Sequence, residues 1–221
     1  MRRRLLKYTG WVLALGAIVL STQVGCVKLL TTVAYFVKGT NDPAEFEGLK
    51  DKRVAIVCRP LVELRYGSAG TAANDLAIRV GQLLRAKVKR VKVVKQSQVN
   101  DWTDENPDQE LEDIGRGVKA DVVLGIDIEQ FSLLLGQTIY QGKAVVRLSA
   151  CNVADGEVLW EKTMRQVVWP ARGGVSTQDK PLQEFQRDYL EVLATEIGNH
   201  FYPHDHFARL SELDPDTGPP E

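Results

Sequence analysis

Three histidines near the C-terminus are the first residues whose types and spacing suggest chemistry. His200, His204 and His206 lie in or directly before the sequence FYPHDHF and are all the histidines of the chain. With Asp205 they could bind zinc, copper or nickel, which imidazole nitrogens suit. Pro203 separates them, however, so no two of them share one helix face. The favoured interpretation is a polar helix exit, with His200 near the negative end of the helix dipole. No cofactor is expected, and a metal or ligand sensor is kept as an alternative.

A second group of candidates is acidic. Asp121, Asp127 and Glu129 flank or interrupt the apolar run ADVVLGIDIE. Paired carboxylates can perform acid–base catalysis, and an acid inside a buried strand is costly unless it is paired. The favoured interpretation is a strand whose end reaches water. A hydrolase that acts on envelope material through Asp127 or Glu129 stays as the alternative, although the sequence carries none of the common hydrolase or phosphate-binding motifs.

A run of positive charge could bind anionic lipid headgroups, a cell-wall polymer or nucleic acid. The favoured interpretation is the end of a helix followed by an edge strand, where basic residues suit the dipole and block aggregation. The whole chain has a net charge of −1, and nucleic acid is not expected as a partner. The run consists of Arg85, Lys87, Lys89, Arg90, Lys92 and Lys95.

The N-terminal segment Met1–Cys26 predicts where the protein is located. Four basic residues precede the apolar run Trp11–Leu20, and the small and polar residues Ser21–Gly25 lead to Cys26. A charged start, a short apolar middle and a small-residue exit are typical of a secretory signal. The middle is shorter than a membrane-spanning helix needs. Removing this segment leaves a more acidic chain.

The ending Val24-Gly25-Cys26 resembles the bacterial lipobox, in which the cysteine thiol is acylated and the signal is cut before it. Gln23 departs from that pattern, where an aliphatic residue is usual. The resemblance implies a lipoprotein with fatty acyl chains such as palmitate on Cys26, anchored to a membrane of the bacterial cell envelope and facing the periplasm. Several acyl chains anchor stably where one binds only marginally. Since apolar residues resume at Leu29–Val37, an uncleaved helical anchor is the competing interpretation.

Residues 27–52 are predicted to be a membrane-proximal connector and residues 53–202 a single α/β domain. The short aliphatic run Arg53–Arg59 predicts a buried strand, because continuous apolar character indicates that helices cover both faces of the sheet. Strands at Val88–Lys95 and Ala120–Glu129 follow helices at Ala72–Lys87 and from Asn106-Pro107 to about Lys119. This order predicts a parallel β-α-β-α-β unit in a three-layer sandwich.

An antiparallel hairpin and a C-terminal helix extend that unit. Asp155-Gly156 joins the β-rich runs Lys143–Val153 and Glu157–Val167, which is a strong hairpin signal. The last helix is expected at Asp179–Phe201, and residues 203–221 are expected to be an acidic, disordered tail. Cys58 and Cys151 fall in predicted core strands, and whether they pair is left open.

Apolar residues outside the predicted core suggest a protein-binding edge. Phe131–Gly142 is too apolar for an ordinary loop, and Trp169 lies in a Gly-rich stretch. Aromatic anchors dominate protein interfaces, so Phe131, Leu134, Tyr140 and Trp169 are the candidate partner-binding residues. The competing interpretation is that these residues cover the open end of the core.

The order RVAIV, a helix, KADVVLGIDIE and a long strand leading to DGEVLWEKT resembles small periplasmic lipoprotein domains. These include the N-terminal domain of the Tol translocation protein B, the curli secretion lipoprotein and the lipoprotein activators of penicillin-binding proteins. The whole chain also resembles uncharacterised lipoproteins of planctomycete-type bacteria in YQGKA, DGEVLWEK and FYPHD. The resemblance implies an α/β sandwich with a mixed sheet and a non-enzymatic binding or assembly factor for another envelope component.

Overall fold

A computed structural model describes residues 41–60 and 68–205. Its helices are α1 (Ser68–Lys87), α2 (Gln96–Glu105), α3 (Leu111–Gly117) and α4 (Leu182–Gly198). Its strands are β1 (Asn41–Asp42), β2 (Arg53–Pro60), β3 (Lys92–Val93), β4 (Val122–Leu135), β5 (Ile139–Asn152), β6 (Val158–Thr163), β7 (Val167–Trp169), β8 (Val175–Ser176) and β9 (His204–Asp205).

The main sheet is mixed and has the order β3-β2-β4-β5-β6. β2 lies parallel to both β3 and β4, whereas β5 runs antiparallel to β4 and β6. β7 and β8 also pair with β5, and β1 with β9 forms a separate two-stranded sheet. The α/β class is therefore confirmed, as are the parallel pairing of the first three strands of this sheet and the hairpin at Asp155-Gly156. The three-layer arrangement stays a prediction.

Two apolar clusters show how the sheet buries both of its faces. Side chains alternate along β2: Val54 and Ile56 belong to a large cluster with α1 and α4, and Ala55 and Val57 belong to a smaller one with α2 and α3. Successive residues of a strand point to opposite faces. The continuous apolar run RVAIVCR thus reflects a strand that is covered on both sides.

Several element boundaries differ from those predicted. α1 begins at Ser68, four residues before the predicted start at Ala72. The strand predicted at Val88–Lys95 is shorter in the structure, where β3 comprises only Lys92–Val93. Arg90 has a left-handed backbone with a φ of 54°, so the strand begins after it. α3 begins at Leu111, so Asn106-Pro107 precedes that helix without starting it.

Its acidic composition predicts a loop at Asn100–Asn106, but this stretch, which holds Trp102, belongs to α2 as far as Glu105. Val99 is buried in the smaller cluster. The Trp102 ring lies directly over Gly117, where a Cβ atom would be 2.0 Å from the indole nitrogen. Packing of these two side chains outweighs the polar composition of the helix.

The prediction of a connector at Phe131–Gly142 is wrong, because these residues form the closed end of one long hairpin. β4 and β5 are 14 residues each and stay paired as far as Leu135 opposite Ile139. Gly136 turns the chain with a φ of 76°, a conformation that favours glycine. The apolar residues are therefore strand residues whose neighbours across the hairpin are fixed.

Several predictions fall partly or wholly outside the described residues. These are the signal and Cys26, most of the connector, His206 and most of the C-terminal tail. Within residues 41–60 and 68–205, no helix is both long and apolar enough to cross a bilayer. Cys58 and Cys151 are both free, and burial, together with the nearby charge of Asp127, raises the pKa of the Cys58 thiol.

Candidate functional site

The end of the β4–β5 hairpin exposes aliphatic side chains. Leu134, Leu135 and Ile139 are all exposed, and Ile139 touches the backbone position of Gly174. Leu182 is also exposed and lies one turn before Phe185 in α4, on the same helix face. Phe185 in turn stacks on Tyr140, with ring centroids 5.1 Å apart. These four aliphatic residues, called the apolar end below, therefore lie around one end of the domain.

The predicted partner-binding residues divide into exposed and packed ones. Leu134 is exposed, but Tyr140 is only 8% exposed. Phe131 lies against Tyr189 at 5.9 Å between ring centroids, and Trp169 lies against Phe185 at 5.3 Å. The aromatic members thus pack against α4, beneath or beside the apolar end. Their role in binding stays a prediction, with Leu134 as the member that a partner can reach.

The acidic candidates on β4 are held by arginines of the neighbouring strands. Arg59 Nε donates to Asp127 Oδ1 at 3.1 Å, and Arg147 Nε donates to Glu129 Oε1 at 3.0 Å. The register places Arg59, Asp127 and Arg147 side by side across three strands. The hydrogen bonds and charge of Glu129 raise the pKa of Arg147. The acid inside the apolar strand is thereby paired, as its position requires.

The segment that leads into the domain is fixed at the opposite end. Phe46 stacks on Trp160 at 5.8 Å and meets the edge of Phe201 at 6.4 Å. The Phe46 amide donates to the His200 carbonyl at 3.0 Å. Leu49 is fully buried. This entry segment, Glu45–Leu49, therefore packs at the C-terminal end of α4.

A polar cleft of about 640 Å³ lies beside the entry segment. Its acidic and basic lining residues are Glu45, Lys162, Arg165, Glu196 and His200. Lys162 Nζ donates to both carboxylate oxygens of Glu45 at 2.6 Å, and His200 Nδ1 is 3.1 Å from the same carboxylate. Burial opposes the charge of Glu45, but the hydrogen bonds and charges of Lys162 and His200 lower its pKa overall.

The histidines do not form a metal site among the residues that the structure describes. His200 belongs to the polar cleft, and its ring lies 5.9 Å from that of Trp160. His204 Nδ1 is 3.3 Å from the Tyr202 carbonyl oxygen, and His206 is outside the described residues. Sequence reasoning missed Glu45, Lys162 and Glu196, because their partners are distant in the chain and no local motif connects them.

No family model and no curated protein matches the sequence. Solved structures are similar to this chain, among them the three that follow. For each, the identity comes first, then the share of this chain and the share of the other chain that the comparison covers. A Xanthomonas campestris protein of the family model DUF330 is 14% identical over 71% and 85%, with a TM-score of 0.46. The PelC dodecamer from Paraburkholderia phytofirmans is 15% identical over 72% and 92%, with a TM-score of 0.42. Lipoprotein GNA1162 from Neisseria meningitidis is 14% identical over 66% and 98%, with a TM-score of 0.41. These similarities are too distant to carry an argument about this chain, and the resemblance to periplasmic lipoprotein domains stays a prediction.

Proposed function

We propose that this protein is a lipoprotein of the bacterial envelope that binds or assembles another envelope protein without catalysing a reaction. Acyl chains on Cys26 attach it to the membrane, and the α/β domain faces the periplasm. The N-terminal signal pattern and the lipobox-like ending at Cys26 support the anchor and the location.

The observation that carries the binding role is the apolar end. Leu134, Leu135 and Ile139 each expose a large aliphatic side chain at the closed end of one hairpin, where Leu135 lies directly opposite Ile139, and Leu182 exposes another at the start of α4, although single exposed aliphatic residues would need no explanation. The hairpin sequence FSLLLGQTIYQG, which supplies three of them, contains no charged residue. Depletion of charge and exposure of apolar side chains are typical of the centre of a protein interface.

The position of the apolar end also supports this role. The entry segment packs near Phe201, after the end of α4, whereas Leu182 begins that helix and Phe185, one turn later, stacks on Tyr140 beside Ile139. α4 has 17 residues, so the two features are separated by about 25 Å along its axis. A domain that is tethered through its entry segment can therefore present the apolar end away from the tether.

Asp127 and Glu129, which a hydrolase would use, have a sufficient structural explanation. Each is paired with an arginine on an adjacent strand, and these pairs offset the cost of placing charge on the sheet. No specific observation favours the enzyme alternative over the binding role.

The binding role is tested by photo-crosslinking in cells from two positions of matched exposure. Leu135 in the apolar end is 43% exposed, and Leu159 on the edge strand β6 is 42% exposed. We expect a photoreactive residue at position 135 to form a discrete adduct with an envelope protein, and the same residue at position 159 not to form it. Ile139→Ser should reduce that adduct while leaving the melting temperature within about 2 °C, because the side chain is exposed. Equal adducts from both positions, or none from either, would refute the role.

The anchor is tested separately by metabolic labelling with a clickable fatty acid. Wild-type protein should incorporate the label, and Cys26→Ala should not. A labelled Cys26→Ala protein would contradict acylation at this cysteine, whatever the outcome of the crosslinking.

A further inference from the structure

The edge of the sheet where β2 and β3 begin carries a concentration of positive charge. These two strands are parallel, with Arg53 opposite Lys92, so they start side by side. α1 connects the end of β2 to the start of β3, and its last residue, Lys87, therefore lies near the same edge. The exposed lysines at this edge, called the basic edge below, are Lys52, Lys87, Lys89 and Lys92.

Backbone contacts hold the segments of the basic edge together. The Lys92 amide donates to the Lys52 carbonyl at 2.9 Å, and the Asp51 amide donates to the Lys89 carbonyl at 3.3 Å. Arg90 balances the charge of Asp51 by donating to both of its carboxylate oxygens. Within residues 41–60 and 68–205, none of the four lysines forms an ion pair. Their positive charges are therefore not neutralised by this part of the chain.

Acidic residues at this end of the sheet lie toward its other side. Asp155 and Glu157 are exposed in the turn between β5 and β6, and the order of the strands places β4 between that turn and β2. Asp121, directly before β4, accepts a hydrogen bond from the Arg53 amide at 2.7 Å. The positive charge is therefore concentrated over β3 and β2.

The chain enters the domain beside the basic edge. The Lys52 amide donates to the carbonyl of Leu49, the last residue of the entry segment, at 3.3 Å. At most about 55 Å of extended chain separates Cys26 from Asn41, where the described residues begin. An anchor at Cys26 therefore keeps the basic edge within reach of the membrane surface.

We propose that the basic edge docks the domain on the anionic phospholipid headgroups of the membrane that anchors the protein. The proposal rests on the envelope location in the proposed function and adds an electrostatic contact to the anchor. The negative surface potential of such a membrane attracts exposed lysines within about a Debye length, roughly 10 Å at 0.1 M salt. β4 starts beside this edge and has 14 residues, so docking holds the apolar end up to about 45 Å from the membrane.

Lysine footprinting of the full-length protein on lipid vesicles tests this proposal. The protein is added from detergent to preformed vesicles, so that its domain faces outwards. Vesicles of phosphatidylcholine alone are compared with vesicles in which about a third of the lipid is phosphatidylglycerol. Flotation in a density gradient measures how much protein is bound, and an uncharged acetylating reagent with mass spectrometry then measures the access to each lysine.

Acetylation of the basic edge should depend on the lipid charge. Lys89 and Lys92 should react at least about threefold more slowly on the anionic vesicles than on the neutral ones, because the headgroups cover them and stabilise their protonated form. About 0.5 M salt should remove this difference. Lys143 is the internal reference, since it lies opposite Ser132 in the distant part of the β4–β5 hairpin, and its rate should not change.

Charge reversal identifies the residues responsible. Lys89→Glu combined with Lys92→Glu should return the acetylation rate of Lys52 on anionic vesicles to its value on neutral ones, and it should fold normally because both side chains are exposed. Lys143→Glu combined with Arg172→Glu changes the net charge by the same amount and is the matched control. This control should keep the slow acetylation of Lys52.

Flotation and footprinting separate the docking from the anchor. Flotation with both kinds of vesicle, with slower acetylation only on the anionic ones, supports the docking. Flotation with both but equal acetylation overturns the docking and leaves the anchor in place. Flotation with the anionic vesicles alone supports the docking and contradicts the anchor, whereas flotation with neither overturns both.

Discussion

Tyr189 offers the most direct test of how the sheet and the last helix are held together. Its side chain is fully buried, and its hydroxyl donates to the Val167 carbonyl at 3.0 Å. Tyr189→Phe keeps the ring and removes only that donor. The buried Val167 carbonyl then loses a partner, and leaving such an acceptor unsatisfied costs about 1–3 kcal/mol. We expect the free energy of unfolding at pH 7 to fall by that amount.

The same hydroxyl predicts a dependence on pH. Burial raises the pKa of Tyr189 above its ordinary value, which is about 10 in an unfolded chain. The folded protein therefore keeps this proton at a pH where the unfolded chain releases it. The contribution of Tyr189 is fully present below about pH 10 and is lost as the pH rises further, at about 1.4 kcal/mol per pH unit.

Urea unfolding of the full-length protein in detergent, followed by tryptophan fluorescence between pH 7 and pH 11, measures both effects. Comparing Tyr189→Phe with wild type at each pH cancels the contribution of the other tyrosines. The wild type should lose its advantage over the variant as the pH rises above 10. A cost below about 0.5 kcal/mol at pH 7, together with parallel curves above pH 10, would refute this explanation.

Two further substitutions test other contacts. Gly142→Ala should destabilise the fold by about 1–3 kcal/mol in urea unfolding, because its Cβ atom would lie 2.3 Å from the Tyr189 ring; an unchanged midpoint would contradict this packing. Asp127→Asn should cost less than about 1 kcal/mol, since both members of its pair with Arg59 are about one-third exposed. That cost should shrink in 1 M salt, and a cost that is insensitive to salt would show that the ion pair is not its source.

Local signals explain the parts of the fold that were predictable. The run RVAIVCR and the sequence Asp155-Gly156 each specify their own conformation, by apolar burial and by turn geometry. The last helix, expected at Asp179–Phe201, ends within three residues of the prediction, and its apolar residues Phe185, Tyr189 and Leu193 recur at helical spacing.

Contacts between distant segments explain what the sequence missed. The partner of Asp127 is Arg59, which the register of β2 and β4 brings across 68 residues of chain. Trp102 lies in α2 although its surroundings are acidic, because its ring packs on Gly117 of α3. The hairpin at residues 131–142 is a different case, because its pairing is local, with Leu135 only four residues from Ile139. Its uncharged apolar residues lack the strict alternation that predicts strands.

The order of pairing in the sheet has a consequence for how this chain folds. β5 pairs with β4, β6, β7 and β8, and its hairpin partners β4 and β6 are its neighbours in sequence. β2 forms its parallel pair with β4, which is distant in the chain: the Arg53 amide donates to Asp121, the residue before β4 and 68 positions later. Closing a short loop costs less conformational entropy than closing a long crossover connection. We therefore expect the antiparallel strands to associate first and β2 to dock last. In a chain that emerges N-terminus first, β2 has only the two-residue strand β3 as a parallel neighbour until β4 appears, and a chaperone that binds exposed apolar strands would act in that interval.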